Sequence, residues 1–163
     1  MAATNSPIIH VNIGQVKAGR APNLLKATLG SCVGIGFLWP EKRLCGLAHC
    51  LLPDAPKASF ELSAKYVSQA VPSLLRLLRI REGDLREIQV ILAGGSLMNK
   101  EAKSAATSAI GDLNAAAAKK YIADGGLTVA YAEFGGLRGR HFTIDCSNFT
   151  YDISFIDKPG TEL

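Results

Sequence analysis

Val33-Gly34-Ile35-Gly36-Phe37-Leu38-Trp39-Pro40-Glu41-Lys42-Arg43-Leu44-Cys45-Gly46-Leu47-Ala48-His49-Cys50-Leu51-Leu52 consists of two apolar runs around one charged turn. Proline presets φ for the first central position of a type I turn, and the charged residues after it favour water. The stretch therefore predicts a β-hairpin. With the turn centred between Pro40 and Glu41, Trp39 faces Lys42, Leu38 faces Arg43 and Cys32 faces His49. Directly opposed residues in an antiparallel pair have Cα atoms about 4.5–5.5 Å apart. That register joins a thiol to an imidazole, the first requirement for an activated cysteine nucleophile. A shift by one residue would send the two side chains to opposite faces.

The chemistry such a pair allows is acyl transfer. A free cysteine has a pKa of ~8.5 and is mostly protonated at neutral pH; a neighbouring imidazolium lowers that value. Cys32 would attack a carbonyl carbon, and His49 would hold the proton and pass it to the leaving group. Gly30 and Ser31, just before Cys32, offer backbone N–H groups to a developing oxyanion. Gly34 and Gly36 share the Cys32 face and leave room there for a substrate chain or another backbone. Thr28, four residues before Cys32, is on the same face if the chain stays extended, and is the candidate third residue. Asp54 and Asp145 are further candidates without a spacing argument. The competing reading is a core cysteine beside a satisfied histidine.

Outward from the hairpin, Ile8 to Val16 alternates as a strand, Ala18 to Asn23 reads as a loop and Lys26 to Leu29 as extended chain. Leu62 to Ile80 carries a helical stripe of Tyr66, Val67, Ala70, Val71, Leu74, Leu75 and Leu78. Pro72 inside it predicts a kink or an early break. Ile88 to Ala93 reads as a buried strand. Ile110 to Ala123 reads as a second helix, closed by Gly125-Gly126. Leu127 to Phe134, Gly139 to Cys146 and Thr150 to Ile156 read as three strands. Strands outnumber helices, and the last three follow one another directly. That pattern argues for an α+β fold, mostly antiparallel, with two main helices gathered on one side.

The length of 163 residues suits a single domain, 1–163, with 1–7 and 158–163 as loose tails. A net charge of +4 with scattered basic residues gives no nucleic-acid footprint. No apolar run approaches a membrane span, and the first residues lack the regions of a secretory signal, so a cytoplasmic location with reduced thiols is expected. Cys45, Cys50 and Cys146 read as small buried residues, and no C-x-x-C or metal-ligand spacing occurs, so neither metal nor cofactor is expected. Gly94 to Lys100 lacks phosphate-loop spacing. Gly135-Gly136-Leu137-Arg138-Gly139-Arg140 reads as a turn, and His10 and His141 as surface or partly buried strand residues.

Thr28-Leu29-Gly30-Ser31-Cys32-Val33, followed by Ala48-His49 and Leu51-Leu52-Pro53, resembles the signature of the chemoreceptor glutamine deamidase family CheD. Gly94-Gly95-Ser96-Leu97-Met98, Ile110-Gly111-Asp112-Leu113-Asn114 and Gly135 to Arg140 agree with it, so the similarity runs from about Ile13 to Ile156. The resemblance implies a three-layer α/β/β sandwich. It also implies a Cys-His-Thr constellation, here Cys32, His49 and Thr28, that deamidates receptor glutamines through a thioester. In some members the threonine lies six residues before the cysteine; Lys26 occupies that position here. Ser147-Asn148 stands where the family usually has a glycine turn. Some members hydrolyse glutamyl methyl esters, and many bind the phosphatase CheC. The methyl-accepting chemoreceptors are thus the expected substrates. A non-catalytic adaptor that binds CheC or receptors is the rival expectation.

Overall fold

The computed structural model describes residues 6–97 and 105–157, the backbone alone for 105–109. Met98 to Lys100 and most of both expected tails lie outside the described residues. Among the described residues nine strands form two sheets. The five-stranded sheet contains β2 (Val16–Gly19), β4 (Val33–Trp39), β5 (Leu44–Cys50), β6 (Gln89–Gly94) and β7 (Val129–Phe134), in the order β2-β5-β4-β6-β7. The four-stranded sheet contains β1 (Ile8–His10), β3 (Leu24–Leu29), β8 (Arg140–Asp145) and β9 (Thr150–Phe155), in the order β1-β3-β8-β9. Only the β1–β3 and β6–β7 pairings are parallel among those described.

Helices α1 (Val67–Leu77) and α2 (Ala105–Asp124) cover one face of the larger sheet. The smaller sheet covers the other, so the α+β expectation holds as an α/β/β sandwich. All seven residues of β4 are buried because both its faces are covered. Val33, Ile35, Phe37 and Trp39 pack toward Val67, Ala70, Val71 and Leu74 of α1. On the opposite face, Leu38, Cys45, Leu47 and Ile91 pack with Leu25, Leu29, Phe142 and Ile144 of the smaller sheet. A Cβ on Gly34 would lie 2.8 Å from Phe142, and one on Gly36 2.8 Å from Ile144. The space beside those glycines is therefore filled by the facing sheet and not left for a substrate.

The Ile8–Val16 segment is not one strand. It splits between the sheets, turning at Gly14 with φ +84°. Helix α1 starts later than its stripe suggests, because the backbone ahead of it is used elsewhere. Lys65 O accepts from Leu51 N and Leu52 N, and Ala64 N donates to Gly14 O. The helix continues through Pro72 and ends with Arg79 left-handed and Ile80 N donating to Leu75 O. The last three strands follow in sequence, but β7 belongs to one sheet and the β8–β9 hairpin to the other.

Three crossings between the sheets position the site. Among the described residues the chain changes sheets four times: at 20–23, and at 11–15, 30–32 and 135–139, the three that concern the site. Ladder partners put these three at the same end of the larger sheet: Val16 pairs with Ala48, Val33 with Cys50 and Gly94, and Gly94 with Phe134.

Candidate active site

The hairpin register differs from the expected one by two. Pro40–Lys42 form a 3-10 turn and Arg43 is left-handed at φ 53°, so all four residues belong to the loop and Trp39 pairs with Leu44. Gly34, not Cys32, is therefore opposite His49. The shift is even, so the faces are preserved. His49 shares the inter-sheet face with Cys45 and Leu47, and Cys32 packs in the same layer. Cys32 sits one residue outside β4 and two residues before Gly34, the ladder partner of His49.

Both side chains are buried, Cys32 at 6% exposure and His49 at 4%. Burial raises the Cys32 thiol above its ordinary value, partly opposed by its own backbone N–H. Burial lowers the His49 imidazole, partly opposed by the carbonyl of Val11. The resting pair is thus a neutral thiol and a neutral imidazole, not the ion pair that simple proximity suggests. His49 Nδ1 lies 2.8 Å from Val11 O. A carbonyl only accepts, so Nδ1 carries the proton and Nε2 the lone pair. Nε2 is buried without a partner. Val11 is itself fixed, its N–H donating to Lys26 O at 2.8 Å. A peptide carbonyl thus orients the imidazole.

Thr28 is elsewhere. The chain bends at Gly30–Cys32, which breaks the alternation, so Thr28 is exposed on the outer face of the smaller sheet while Cys32 is buried between the sheets. Thr28 Oγ1 lies 3.1 Å from His141 Nδ1. Even so, Thr28 shares a cleft of about 410 Å³ with His49, Lys26, His10, Val11 and Asn12. Lys26 and Thr28 are two residues apart on one strand and line that cleft together. Asp54 accepts from the Tyr121 hydroxyl and Asp145 from Ser147 N, so both are engaged away from the ring.

The loop before Cys32 is held by its carbonyls. Gly30 O accepts from Ser96 N at 3.0 Å, Cys32 O from Gly95 N at 2.9 Å and Ser31 O from the Asn114 amide at 3.1 Å. A Cβ on Gly94, at φ +115°, would overlap the Cys32 carbonyl oxygen. Arg140, only 2% exposed, donates to Ser96 Oγ at 2.8 Å and Gly135 O at 2.9 Å and pairs with Glu133 at 3.0 Å. The Gly135–Arg140 segment is thus more than a turn, because Arg140 anchors the glycine pair behind Cys32. Sequence reading missed Val11, Asn114 and Arg140 as parts of the site. A polar Asn114 within the Ile110, Ala118, Ile122 stripe was a legible signal; a backbone carbonyl leaves none.

A family model described as CheD chemotactic sensory transduction matches residues 51–154, beginning just after His49. A relative from Ruegeria sp. (strain TM1040), named probable chemoreceptor glutamine deamidase CheD 2, is 36% identical over 93% of this chain and 94% of its own length. A probable chemoreceptor glutamine deamidase CheD from Bdellovibrio bacteriovorus is 36% identical over 83% of this chain and 86% of its own. One from Archaeoglobus fulgidus is 34% identical over 81% and 83%.

Proposed function

This chain belongs to the CheD family, and from that premise we propose that it is a protein-glutamine deamidase acting on chemoreceptors. The observation that carries the reading is the unpartnered, lone-pair-bearing Nε2 of His49 on the layer that holds Cys32. A buried acceptor left open is costly, and a base awaiting a thiol proton accounts for it.

As the Cys32 sulfur bonds to the glutamine side-chain carbon, its proton passes to His49 Nε2. The carbonyl becomes an oxyanion. The carbonyls of Gly30, Ser31 and Cys32 are occupied, so amide N–H groups are what this loop has to offer it. The C–N bond then breaks, and His49 returns the proton to the leaving nitrogen as ammonia departs. Water attacks the thioester with His49 as base, releasing glutamate and restoring the thiol. The same thioester route hydrolyses a glutamyl methyl ester. Thr28 and Lys26 face the approaching receptor segment from the cleft.

The test is incubation with a receptor cytoplasmic fragment and mapping of Gln to Glu conversion by mass spectrometry. Wild type converts defined glutamines, and Cys32→Ala and His49→Ala do not. Absence of conversion by wild type, with CheC binding that survives Cys32→Ala, would establish the adaptor instead.

A further inference from the structure

Asn114 is delivered by α2 and is fully buried, at 0% exposure. Its side-chain nitrogen donates to two carbonyls, Ser31 O at 3.1 Å and Leu51 O at 3.0 Å. Ser31 directly precedes Cys32, and Leu51 is two residues beyond His49. These two carbonyls flank the place where the hairpin ladder stops. The last rung is Val33 with Cys50; the next would be Cys32 with Leu51. That rung does not form, because Leu51 N turns away to Lys65 O. Asn114 bridges the two strands where the backbone no longer does.

We propose that Asn114 is a positioning residue for the reaction, its amide replacing the missing rung and so fixing the Cys32 sulfur relative to the His49 ring. This rests on the deamidase reading above. Two further observations support it. Gly111, one helical turn earlier, presses directly on Gly95, whose N–H holds Cys32 O; a Cβ on Gly111 would lie 2.7 Å from Gly95 O. The helix therefore approaches the nucleophile loop as closely as backbone permits. Both amide hydrogens of Asn114 go to carbonyls, which leaves Oδ1 buried without a partner. Among the described residues, Oδ1 of Asn114 and Nε2 of His49 are the buried side-chain polar atoms without a partner. An open buried acceptor on the residue that holds Ser31 O and Leu51 O fits a site that keeps its geometry at the expense of local satisfaction.

The test uses Asn114→Asp, isosteric but without amide hydrogens, and Asn114→Ser in case the first does not fold. On a receptor fragment, kcat falls about 100-fold, the scale of a misplacement near 1 Å, while KM stays within about threefold. A second readout needs no turnover. The factor by which His49→Ala slows alkylation of Cys32 at neutral pH is measured with and without N114D. It exceeds 1 in the parent and collapses to about 1 with N114D, because the thiol and base no longer meet. Changes in thiol exposure cancel in this ratio. An unchanged factor, or an unchanged kcat, overturns the proposal. A parent factor of 1 removes the Cys32–His49 premise itself, and a wild type that alkylates as expected but converts no glutamine removes only the deamidase reading.

Discussion

The Val11 carbonyl and the His49 Nδ1 form a 2.8 Å hydrogen bond between the strand crossing and the larger sheet. That bond sets the tautomer of the ring, yet burial still holds the imidazole below its ordinary value of 6.5. The sign of the consequence follows from linkage. The unfolded chain binds a proton at His49 more readily than the folded one, so stability from this residue is present above 6.5 and is lost as pH falls toward the lowered folded value. Thermal melts taken between about pH 7.5 and 5.5 should fall more steeply for wild type than for His49→Gln. Parallel curves would show that the ring takes up protons freely in the fold.

Cys32 and His49 are both shifted toward their neutral forms. An ion-pair nucleophile would already be alkylated at its full rate in the neutral range, with no further rise above it. This pair should behave otherwise. Small reagents should modify Cys32 first, since it is 6% exposed against 0% for Cys45 and Cys50 and 1% for Cys146. Its rate should keep rising beyond pH ~8.5, the ordinary thiol value, because burial raises the thiol above it. A plateau reached near neutrality would mean that the thiolate is already formed.

The closeness of Gly111 to Gly95 reverses a familiar expectation. Glycine to alanine inside a helix ordinarily stabilises by about 1 kcal/mol. Here the new methyl meets Gly95 O at 2.7 Å and Ser96 O at 2.9 Å, both backbone atoms in the segment that holds Cys32. Gly111→Ala should destabilise by about 1–3 kcal/mol, as overpacked sites do, and should lower deamidation in the folded protein. Urea denaturation followed by circular dichroism measures the first effect, and turnover per folded molecule the second.

The hairpin shows which features the sequence makes legible. Apolar runs and a proline placed β4 on its observed residues and β5 within two of its end, and alternation put Cys32 and His49 on one face. The register missed by two because the proline centres the expected turn between Pro40 and Glu41, whereas all four residues through left-handed Arg43 form the loop. Parity survived, so both side chains still belong to the layer between the sheets. Thr28 failed the same argument, because alternation cannot be carried through the bends at Gly30–Cys32. Val11 was beyond reach for a different reason: its role depends on the chain changing sheets, a tertiary event that strand periodicity does not encode. The glycine pairs and the Gly135–Arg140 segment were visible as motifs. Their common purpose, bracing one loop, emerges only when three of the four crossings fall at one end.

Thr28 provides the sharpest division of labour. Its hydroxyl is exposed and its partner is His141 at 3.1 Å, whereas the imidazole of His49 is already oriented by Val11. Thr28→Val removes the hydroxyl and keeps the branched shape. Stability should change by no more than about 0.5 kcal/mol, because the site is solvent-exposed strand. Since Thr28 lines the cleft beside Lys26 and His49, the loss should fall on substrate binding. Steady-state kinetics on a receptor fragment should show KM raised severalfold with kcat within about twofold of wild type. A kcat reduced by about 100-fold at constant KM would instead make the hydroxyl part of the reacting constellation, acting on a step that the Val11 carbonyl cannot serve.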